Sequence, residues 1–280
     1  MRRTRRKMMG QHFLKDPGTL KKILRLINPQ PEDTIIEIGA GKGALTLALI
    51  QKAGRVIAIE KEKDFIPYLK KKATQNLHVI EQDILKTSFR NLVEKDEQVK
   101  LVGNLPYSIS TAILFKVAEE KSLFTECLFL LQKEVAERVC SQPGTKKYAP
   151  LSVYLQNFFT RKIHFHVSPE SFSPPPKVES SFLSLHRRPD PLFPIHNEGH
   201  FLGFLQTAFQ HRRKTLWNNL KKIDISQDAL GKALKSCGLT YNIRAEHVNL
   251  SQFISLYNQL LPEYPRQELG THFTETQQKK

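Results

Sequence analysis

The sequence contains few cysteines, a single tryptophan and no long hydrophobic run. Its three cysteines, Cys127, Cys140 and Cys237, are widely spaced and odd in number, so they fit neither a disulfide scaffold nor a zinc ribbon. No apolar stretch approaches the roughly 18 residues of a membrane helix, and no hydrophobic segment follows the basic N-terminus, which argues against a secretory signal. These absences predict a reduced, cytoplasmic protein without a structural metal or a membrane span.

Acidic side chains are scarce relative to basic ones. The 280 residues include 43 Lys+Arg and 27 Asp+Glu, which gives a formal net charge of +16. A large positive excess is typical of proteins that bind a polyanion, most often nucleic acid, through phosphate contacts and counterion release. Charge alone does not distinguish RNA from DNA or anionic lipid, and the excess could also serve solubility alone.

Short β-rich runs alternate with helical segments along the first half of the chain. The runs occupy residues 34–38, 55–59, 77–80, 100–103 and 127–131, and helical segments occupy 44–52, 61–73 and 111–119. Because strands that alternate with helices form right-handed βαβ units, this order predicts an α/β fold with a mostly parallel sheet.

The second half of the chain changes in character. Residues 162–167 and 180–185 are two further predicted strands. The proline-rich segment 172–177 between them is predicted to be a stiff loop, since proline can neither continue a helix nor sit in a central strand. From residue 198 to 261 the pattern is helical. The predicted division of the chain is a basic arm (1–10), an α/β domain (11–188), a small helical domain (198–262) and a polar tail (263–280).

A glycine-rich loop and two carboxylates follow three of the predicted strands. Gly39 and Gly41 come directly after the first strand, where glycine lets the backbone turn sharply and approach a ligand beside a helix N-terminus. Glu60 and Asp83 end the next two strands, at the edge where such sheets bind ligands. A carboxylate at the position of Glu60 binds the ribose hydroxyls of a cofactor, and one at the position of Asp83 suits an adenine amino group.

The glycine loop and the carboxylates have two alternative interpretations. One is a tight turn with two solvated acidic residues. The other is a site for a nicotinamide dinucleotide, whose fingerprint is G-x-G-x-x-G. Here Ala44 stands where the third dinucleotide glycine would fall, so the loop favours S-adenosylmethionine (SAM).

The tetrad Asn104-Leu105-Pro106-Tyr107 follows the fourth predicted strand. An exocyclic amine of a nucleobase is a poor nucleophile because its lone pair is delocalised into the ring. Two acceptors, the Asn104 side-chain carbonyl and the Pro106 backbone carbonyl, could accept hydrogen bonds from its two N–H groups and so localise the lone pair on the nitrogen. Tyr107 offers a face on which an unstacked base can stack. The alternative is an Asn-Pro turn with a core tyrosine.

Together these elements resemble the ribosomal RNA adenine N6-dimethyltransferases of the KsgA/RsmA type. The resemblance covers residues 8–261, and its specific parts are the tetrad, the proline-rich loop and a C-terminal Arg-Arg-Lys. The matching segments are residues 10–14, 37–46, 60, 82–83, 104–107, 132–138, 148–152, 172–180 and 208–216. The resemblance implies a Rossmann-like class I SAM-dependent methyltransferase core with a small all-α C-terminal domain that binds rRNA.

The resemblance also implies a reaction and residue roles. The reaction is SAM-dependent N6,N6-dimethylation of two adjacent adenines in a hairpin near the 3′ end of small-subunit (16S) rRNA, within an immature 30S particle during ribosome biogenesis. The implied cofactor-binding residues are His12, Leu14, Gly39, Gly41, Glu60, Asp83 and Asn104. The implied catalytic residues are Asn104, Pro106, Tyr107 and Phe172, of which the last two would sandwich the target base.

Three basic residues and one departure from the family pattern complete the predictions. Arg212, Arg213 and Lys214 are expected to contact rRNA phosphates, although a basic run is usually a solvated surface. His12 stands where the family usually has Asn, and since both side chains donate hydrogen bonds, we expect SAM binding to be retained. We expect a monomer without a bound metal.

Two alternative functions remain. A related class dimethylates one adenine of large-subunit RNA and confers antibiotic resistance, but the long proline-rich loop and segment 208–216 favour the small-subunit type. A non-catalytic assembly factor could use the same fold. The intact tetrad and both carboxylates argue against lost catalysis.

Overall fold

The structure is a computed structural model that describes residues 11–95 and 97–262. The predicted basic arm and polar tail lie outside the described residues. The described chain forms two compact units. The first unit contains residues 11–137 and Thr160–Arg187, and the second contains Arg138–Phe159 and residues 188–262.

The first unit is built around a seven-stranded sheet. The strands of the described chain are β1 (Phe13–Leu14), β2 (Thr34–Ile38), β3 (Arg55–Glu60), β4 (Leu77–Glu81), β5 (Val99–Asn104), β6 (Phe124–Gln132), β7 (Phe159–Val167), β8 (Phe172–Ser173) and β9 (Ser180–Arg187). The large sheet has the order β4-β3-β2-β5-β6-β9-β7. Neighbouring strands from β4 to β6 are parallel, whereas β9 runs antiparallel to β6. The predicted α/β fold with a mostly parallel sheet is confirmed.

Helices connect the parallel strands and make up most of the second unit. In chain order they are α1 (Pro17–Ile27), α2 (Thr46–Leu49), α3 (Ile66–Lys71), α4 (Ser110–Glu119), α5 (Lys133–Cys140), α6 (Pro150–Phe158), α7 (Glu198–Ala208), α8 (Leu216–Leu220), α9 (Gln227–Ser236) and α10 (Leu250–Leu260). Helices α2 and α3 are shorter than the predicted segments 44–52 and 61–73. For α3 the reason is Pro67 in its first turn, a position that suits a residue without an N–H.

Strand β2 is buried on both faces of the sheet. Its side chains Ile35, Ile36 and Ile38 are at most 1% exposed. In a parallel sheet that is covered on both faces, strands are continuously apolar rather than alternating. The one charged residue of this strand, Glu37, is therefore buried as well.

Helix α1 is fixed at both ends. Asp16 caps its N-terminus by accepting the Thr19 N–H at 2.7 Å, and Pro17 fills the first turn. The helix ends before Asn28, whose backbone is left-handed with φ 44°. The position at which the preceding segment joins α1 is therefore fixed.

The second unit is helical and has an aromatic core. Phe201 of α7 packs against Tyr257 of α10 with ring centroids 5.2 Å apart, and Tyr154 of α6 packs against Phe201 at 6.4 Å. The sequence predicts a helical domain over residues 198–262, but the structure also places Arg138–Phe159 in this unit. No proline-rich linker like the one at residues 189–194 precedes residue 138, so the composition of the chain did not reveal that residues 138–159 leave the first unit.

A small two-stranded ribbon was not predicted. Phe13 of β1 pairs with Ser173 of β8, and Leu14 pairs with Phe172, so the segment before α1 is joined to the start of the proline-rich loop. A pairing of two residues from distant parts of the chain leaves no periodicity to detect. We call this pair of strands the β1–β8 ribbon.

Candidate active site

The order of the large sheet reverses between β2 and β5, and the predicted site lies at this point. In doubly wound sheets, ligands bind beyond the carboxyl ends of the strands at such a switch point. Here Gly39 follows β2 and Asn104 ends β5. A Cβ added to Gly39 would lie 3.8 Å from the Asn104 carbonyl oxygen, so the two loops are in contact.

The glycine loop depends on residues without side chains. Gly39 and Gly41 have φ of 71° and 53°, in the left-handed region that side chains rarely adopt. At Gly41 a Cβ would also lie 2.9 Å from Cε1 of Phe13. The Phe13 ring of the β1–β8 ribbon therefore packs directly on the loop.

Glu60 ends β3 and reaches the glycine loop. Its Oε2 accepts the Gly41 N–H at 2.7 Å, and its Oε1 accepts the Glu62 N–H at 2.8 Å. Burial raises the pKa of this carboxyl, and the N–H groups of Glu62 and Gly41 offset part of the rise. Each carboxylate oxygen keeps a lone pair for a further donor, which is the chemistry that a ribose diol requires.

Asp83 follows β4 but is already engaged. Its Oδ2 pairs with Lys61 Nζ at 2.9 Å, and its Oδ1 accepts the Leu85 N–H at 3.1 Å. Burial alone would raise the pKa of Asp83, but the hydrogen bonds from Lys61 and Leu85 outweigh it and leave the pKa below its usual value. Strand spacing gave no sign of this ion pair, because Lys61 comes from the neighbouring strand end.

Two cavities open at this edge of the sheet. The first is mainly apolar and is lined in part by Leu14, Glu37, Gly39 and Asn104. The second is lined by Gln11, His12, Phe13, Gly39, Gly41, Glu60, Phe65, Asn104, Leu105, Pro106 and Tyr107. The structure thus brings most of the predicted site residues together. Asp83 and Phe172 are not among the residues that line these two cavities.

The side-chain amide of Asn104 is oriented by a hydrogen bond to the chain before β1. Its Nδ2 donates to the His12 carbonyl oxygen at 2.8 Å. Because the nitrogen is committed, Oδ1 is left as the acceptor of the amide. Asn104 lines both cavities, and its role as an acceptor for an exocyclic amine stays a prediction.

The two backbone carbonyls of the tetrad differ in availability. The Pro106 carbonyl accepts the Ile109 N–H at 3.1 Å and belongs to the turn before α4. The Leu105 carbonyl has no donor within the described residues, and Leu105 lines the second cavity. The open carbonyl is therefore one residue before the one that the sequence suggested.

His12 joins the β1–β8 ribbon to the proline-rich loop. Its Nδ1 lies 2.8 Å from the Pro174 carbonyl oxygen, and since that oxygen can only accept, Nδ1 carries the proton. The imidazole also lies beside the Tyr107 ring, with centroids 5.2 Å apart. His12 therefore donates a hydrogen bond, as an asparagine side chain could, and its imidazole also contacts the Tyr107 ring.

Tyr107 is held from strand β9. Its hydroxyl shares a hydrogen bond with the hydroxyl of Ser180, a fully buried residue at the start of that strand. Burial raises the pKa of Tyr107, so the phenol stays neutral. The sequence carries no signal for this contact, because it arises from the register of β9 in the sheet.

Phe172 lies in a different environment from the one that the resemblance implies. Its side chain is 0% exposed and belongs to the apolar core together with Val167 and Phe182. A ring must be accessible to stack on a base, so in this conformation Phe172 cannot do so, whereas Tyr107 is one of the aromatic residues that line the second cavity. A base contact by Phe172 requires its ring to leave the core, and the role stays a prediction.

Burial at the first cavity changes the acidity of Glu37, for which the sequence suggested no separate role. The residue is 2% exposed. Burial raises the pKa of Glu37 to about 7, Thr46 offsets part of the rise, and the charge of Glu60 adds to it. A carboxyl that titrates near neutral pH beside a cavity is a candidate functional group.

The predicted RNA-binding residues belong to the second unit and differ in their surroundings. Arg212 donates to the Tyr148 carbonyl at 2.9 Å and lies 3.7 Å from a carboxylate oxygen of Glu246. Arg213 and Lys214 are exposed and form no ion pair within the described residues. Arg212 therefore contributes to the packing of the second unit, whereas the other two side chains are free to meet a ligand.

Two histidines on β7 are bound to serines of the neighbouring strand. His164 Nε2 lies 2.8 Å from Ser184 Oγ, and His166 Nδ1 lies 2.8 Å from Ser181 Oγ. Across residues 11–95 and 97–262 no group of three or more His, Cys, Asp or Glu is placed to hold a metal ion. No helix in these same ranges has the length and apolar character needed to cross a membrane.

Two solved structures that share this fold are methyltransferases. A crystal structure of a dimethyladenosine transferase from Plasmodium falciparum is 26% identical, with a TM-score of 0.77 over 90% of this chain and 98% of that chain. The 23S rRNA methyltransferase ErmE is 24% identical and shares the fold, with a TM-score of 0.66 over 89% of this chain and 99% of that chain. The first unit has the Rossmann-like fold of the class I SAM-dependent methyltransferases, which confirms the predicted fold class.

Sequence comparisons then give the family. The family model described as ribosomal RNA adenine dimethylase matches residues 2–261. A curated protein of Clostridium botulinum named ribosomal RNA small subunit methyltransferase A is 38% identical over 88% of this chain and 90% of its own length. A protein of the same name from Geobacter metallireducens is 38% identical over 90% and 94%. The chain belongs to the ribosomal RNA adenine dimethylase family, and the predicted rRNA adenine dimethyltransferase activity is confirmed.

Proposed function

We propose that the chain transfers methyl groups from SAM to N6 of two adjacent adenines in a hairpin near the 3′ end of small-subunit (16S) rRNA. It acts on an immature 30S particle, as a monomer in the cytoplasm. One observation carries the proposal: the open acceptors of Asn104 and Leu105 lie at the cavity that also contains the Glu60 carboxylate. The names of the curated relatives support the small subunit as the source of the RNA.

The protein must make an aromatic amine nucleophilic. Asn104 Oδ1 and the Leu105 carbonyl accept the two N–H bonds of adenine N6, which draws the nitrogen toward tetrahedral geometry and localises its lone pair. The hydrogen bond from Asn104 Nδ2 to the His12 carbonyl fixes the first acceptor. Pro106 contributes the rigid turn that presents the second. Catalysis then comes mainly from positioning, and the proton lost after alkylation passes to water.

The residues of the site fit SAM. When bound, SAM supplies a methyl group on a positively charged sulfur. The buried carboxylate of Glu60 has lone pairs left for the ribose hydroxyls. Gly39 lines both cavities, and Leu14 lines the first. Asp83 can accept the adenine amino group of SAM only by sharing its carboxylate with Lys61.

Tyr107 supplies the stacking face for the target adenine. Bases that undergo chemistry leave the stack and are held between apolar or aromatic side chains. The Tyr107 ring is restrained by the Ser180 hydroxyl at one end and lies beside the His12 imidazole. A base that enters the second cavity therefore meets a ring whose orientation is already set.

The second unit provides the rRNA-binding surface. We assign this role to residues 198–262, as the resemblance implies, together with Arg138–Phe159, which belong to the same unit. Arg213 and Lys214 are exposed and form no ion pair within the described chain. Their charges are therefore available to phosphates, which position an RNA without reading its sequence.

Methyl transfer to isolated ribosomal subunits tests the proposal. The full chain is incubated with methyl-labelled SAM and either small or large subunits that lack these modifications, and the RNA is digested and searched for N6,N6-dimethyladenosine. We expect label in small-subunit RNA with the wild type and none with Asn104→Ala. Asn91→Ala is the matched control, since Asn91 is an exposed asparagine of the same unit. Label in large-subunit RNA alone would move the protein to the other substrate class, and SAM binding without label would favour an assembly factor.

A further inference from the structure

A turn in the second unit presents an exposed aromatic side chain. Tyr241 is 60% exposed, more than any other large hydrophobic side chain of the described residues. The turn itself is anchored, because the Ile243 N–H donates to the Thr240 carbonyl at 3.1 Å and the Ile243 carbonyl accepts the Leu216 N–H at 2.7 Å. Leu239, just before the turn, is 5% exposed. The fold therefore holds this tyrosine in the solvent.

The exposed ring is backed by the single tryptophan of the chain. The ring centroids of Trp217 and Tyr241 are 4.9 Å apart, with an interplanar angle of 74°. Both rings meet over Gly231 of α9, where an added Cβ would lie 2.8 Å from Tyr241 Oη and 3.8 Å from Trp217 Cζ3. Tyr241 is thus fixed on two sides while most of its surface stays open. We call Trp217 and Tyr241 the aromatic platform.

Three exposed basic residues lie in the two segments of the chain that carry the aromatic platform. Arg213 and Lys214 come just before α8, whose Leu216 is bonded to the same turn, and Arg244 follows the turn. All three side chains are exposed, and none forms an ion pair within the part of the chain that the structure describes. Free cations beside an open aromatic ring are the combination that binds single-stranded nucleic acid, in which phosphates meet the cations and bases stack on the ring. A protein partner would need apolar area around Tyr241 rather than three unpaired cations.

We infer that the aromatic platform is a stacking site for an unpaired base of the RNA, with Arg213, Lys214 and Arg244 at the neighbouring phosphates. The inference rests on the proposed function, because it assigns a contact to the same class of substrate, and it adds a base contact in the second unit. Stacking on an aromatic ring tolerates any base. The platform therefore supplies affinity and fixes the path of a single strand without reading its sequence.

The single tryptophan allows the site to be measured without a label. The full chain is titrated with a single-stranded oligoriboadenylate of about 10 nucleotides, long enough for several bases to stack, while Trp217 emission is recorded. A base that stacks on Tyr241 lies next to Trp217, so we expect its emission to be quenched on binding. Inorganic polyphosphate offers phosphates without bases, so it should bind with little change in emission.

Variants of Tyr241 separate stacking from charge. Tyr241→Ala should weaken binding of the oligoriboadenylate about five- to a hundredfold, the range for one stacked base, and leave polyphosphate binding unchanged. Tyr241→Phe keeps the ring and should bind as the wild type does. Tyr68→Ala is the matched control, because Tyr68 is a 44% exposed tyrosine of the first unit. Affinities are measured by anisotropy of a labelled oligonucleotide, and thermal unfolding checks that each variant is folded.

The outcomes are distinct from those of the methyl-transfer experiment. A Tyr241→Ala chain that binds the oligoriboadenylate as tightly as the wild type would overturn the inference and leave a protein surface as the occupant of the platform. A wild-type chain that binds the oligoriboadenylate without a change in Trp217 emission would overturn it too. Neither result affects the proposed function, which is judged by dimethyladenosine in small-subunit RNA.

Discussion

The hydroxyl groups of Tyr107 and Ser180 share a hydrogen bond that joins the tetrad to strand β9. Tyr107 follows β5, which pairs with β6 in parallel, and β6 pairs with β9 in the opposite direction. The tetrad and Ser180 therefore meet only because the last strands of the sheet have this order. The orientation of the Tyr107 ring is therefore set by the strand order of the sheet as well as by the loop that carries Tyr107.

Removal of this hydrogen bond should slow catalysis without affecting the cofactor. We expect Ser180→Ala to lower kcat for adenine methylation about fivefold, which corresponds to one hydrogen bond of about 1 kcal/mol, with the affinity for SAM unchanged. Tyr107→Phe should have the same effect. The double variant should be no slower than either single one, because both changes remove the same bond.

The neighbouring serine provides the control for Ser180. Ser181 is equally buried, but its hydroxyl bonds to His166 instead of the tetrad. Ser181→Ala should therefore change thermal stability to a similar extent and leave kcat unaffected. Steady-state kinetics with small-subunit particles checks this, and additive losses in the Ser180 and Tyr107 double variant would count against the shared bond.

Substitution of Glu60 should separate cofactor binding from RNA binding. Glu60→Ala removes the acceptor that the Gly41 N–H contacts at 2.7 Å, together with the lone pairs assigned to the ribose. Hydrogen bonds to a charged group contribute about 1.5–3 kcal/mol, so we expect SAM affinity to fall roughly ten- to a hundredfold, with RNA affinity unchanged. Asp64→Ala is the control, since Asp64 is an exposed carboxylate nearby in the chain. Calorimetric titration with SAM and filter binding with rRNA measure both affinities; a loss confined to RNA would mean that the carboxylate has another role.

The strands could be predicted, and so could the sheet edge that carries the glycine loop and Glu60, because their sequence signals are local. Burial on both faces gives β2 three isoleucines in five residues, and parallel order places the glycine loop and Glu60 at one edge. The Lys61–Asp83 ion pair and the Tyr107–Ser180 hydrogen bond could not be predicted. They join side chains whose proximity is decided by which strands are neighbours, and residue spacing does not contain that information.

The hydrogen-bond acceptors of the tetrad could likewise be predicted only in part. The sequence identified Asn104 and a proline-fixed backbone carbonyl, but it could not show that the Pro106 carbonyl is used by the Ile109 N–H. It also could not show that Phe172 is buried, because the β1–β8 ribbon depends on a contact between distant segments. Residue type thus predicts the chemistry, and the tertiary structure decides which atom performs it.

The basic residues of the second unit should respond differently to substitution. Arg212→Ala removes the hydrogen bond to the Tyr148 carbonyl, so we expect the free energy of unfolding to fall by about 1 kcal/mol. Arg213 and Lys214 have no ion pair to lose within the described residues. Their double alanine variant should keep the wild-type Tm and flatten the plot of log affinity against log salt by about 1.5, as expected for two phosphate contacts. An unchanged salt slope would remove both side chains from the RNA-binding surface.

Glu37 should make the stability of the protein depend on pH. Burial raises the pKa of this carboxyl in the folded state from an ordinary value of 4.5 to about 7, so the folded protein holds the proton more tightly than the unfolded chain does. The contribution of Glu37 to stability is therefore complete below about pH 4.5 and is lost as the pH rises to about 7.

Glu37→Gln has no carboxyl proton to lose and should lack this component. The stability of the variant relative to the wild type should therefore increase from about pH 5 to about pH 7 and then level off, because deprotonation of the buried wild-type carboxyl is complete above its folded-state pKa. Urea unfolding at a series of pH values measures the difference. Glu94→Gln is the control, since Glu94 is exposed and its substitution should give no such trend. If the difference between Glu37→Gln and the wild type were the same at all pH values, the pKa of Glu37 would be equal in the folded and unfolded states, and the first cavity would hold a charged carboxylate at neutral pH.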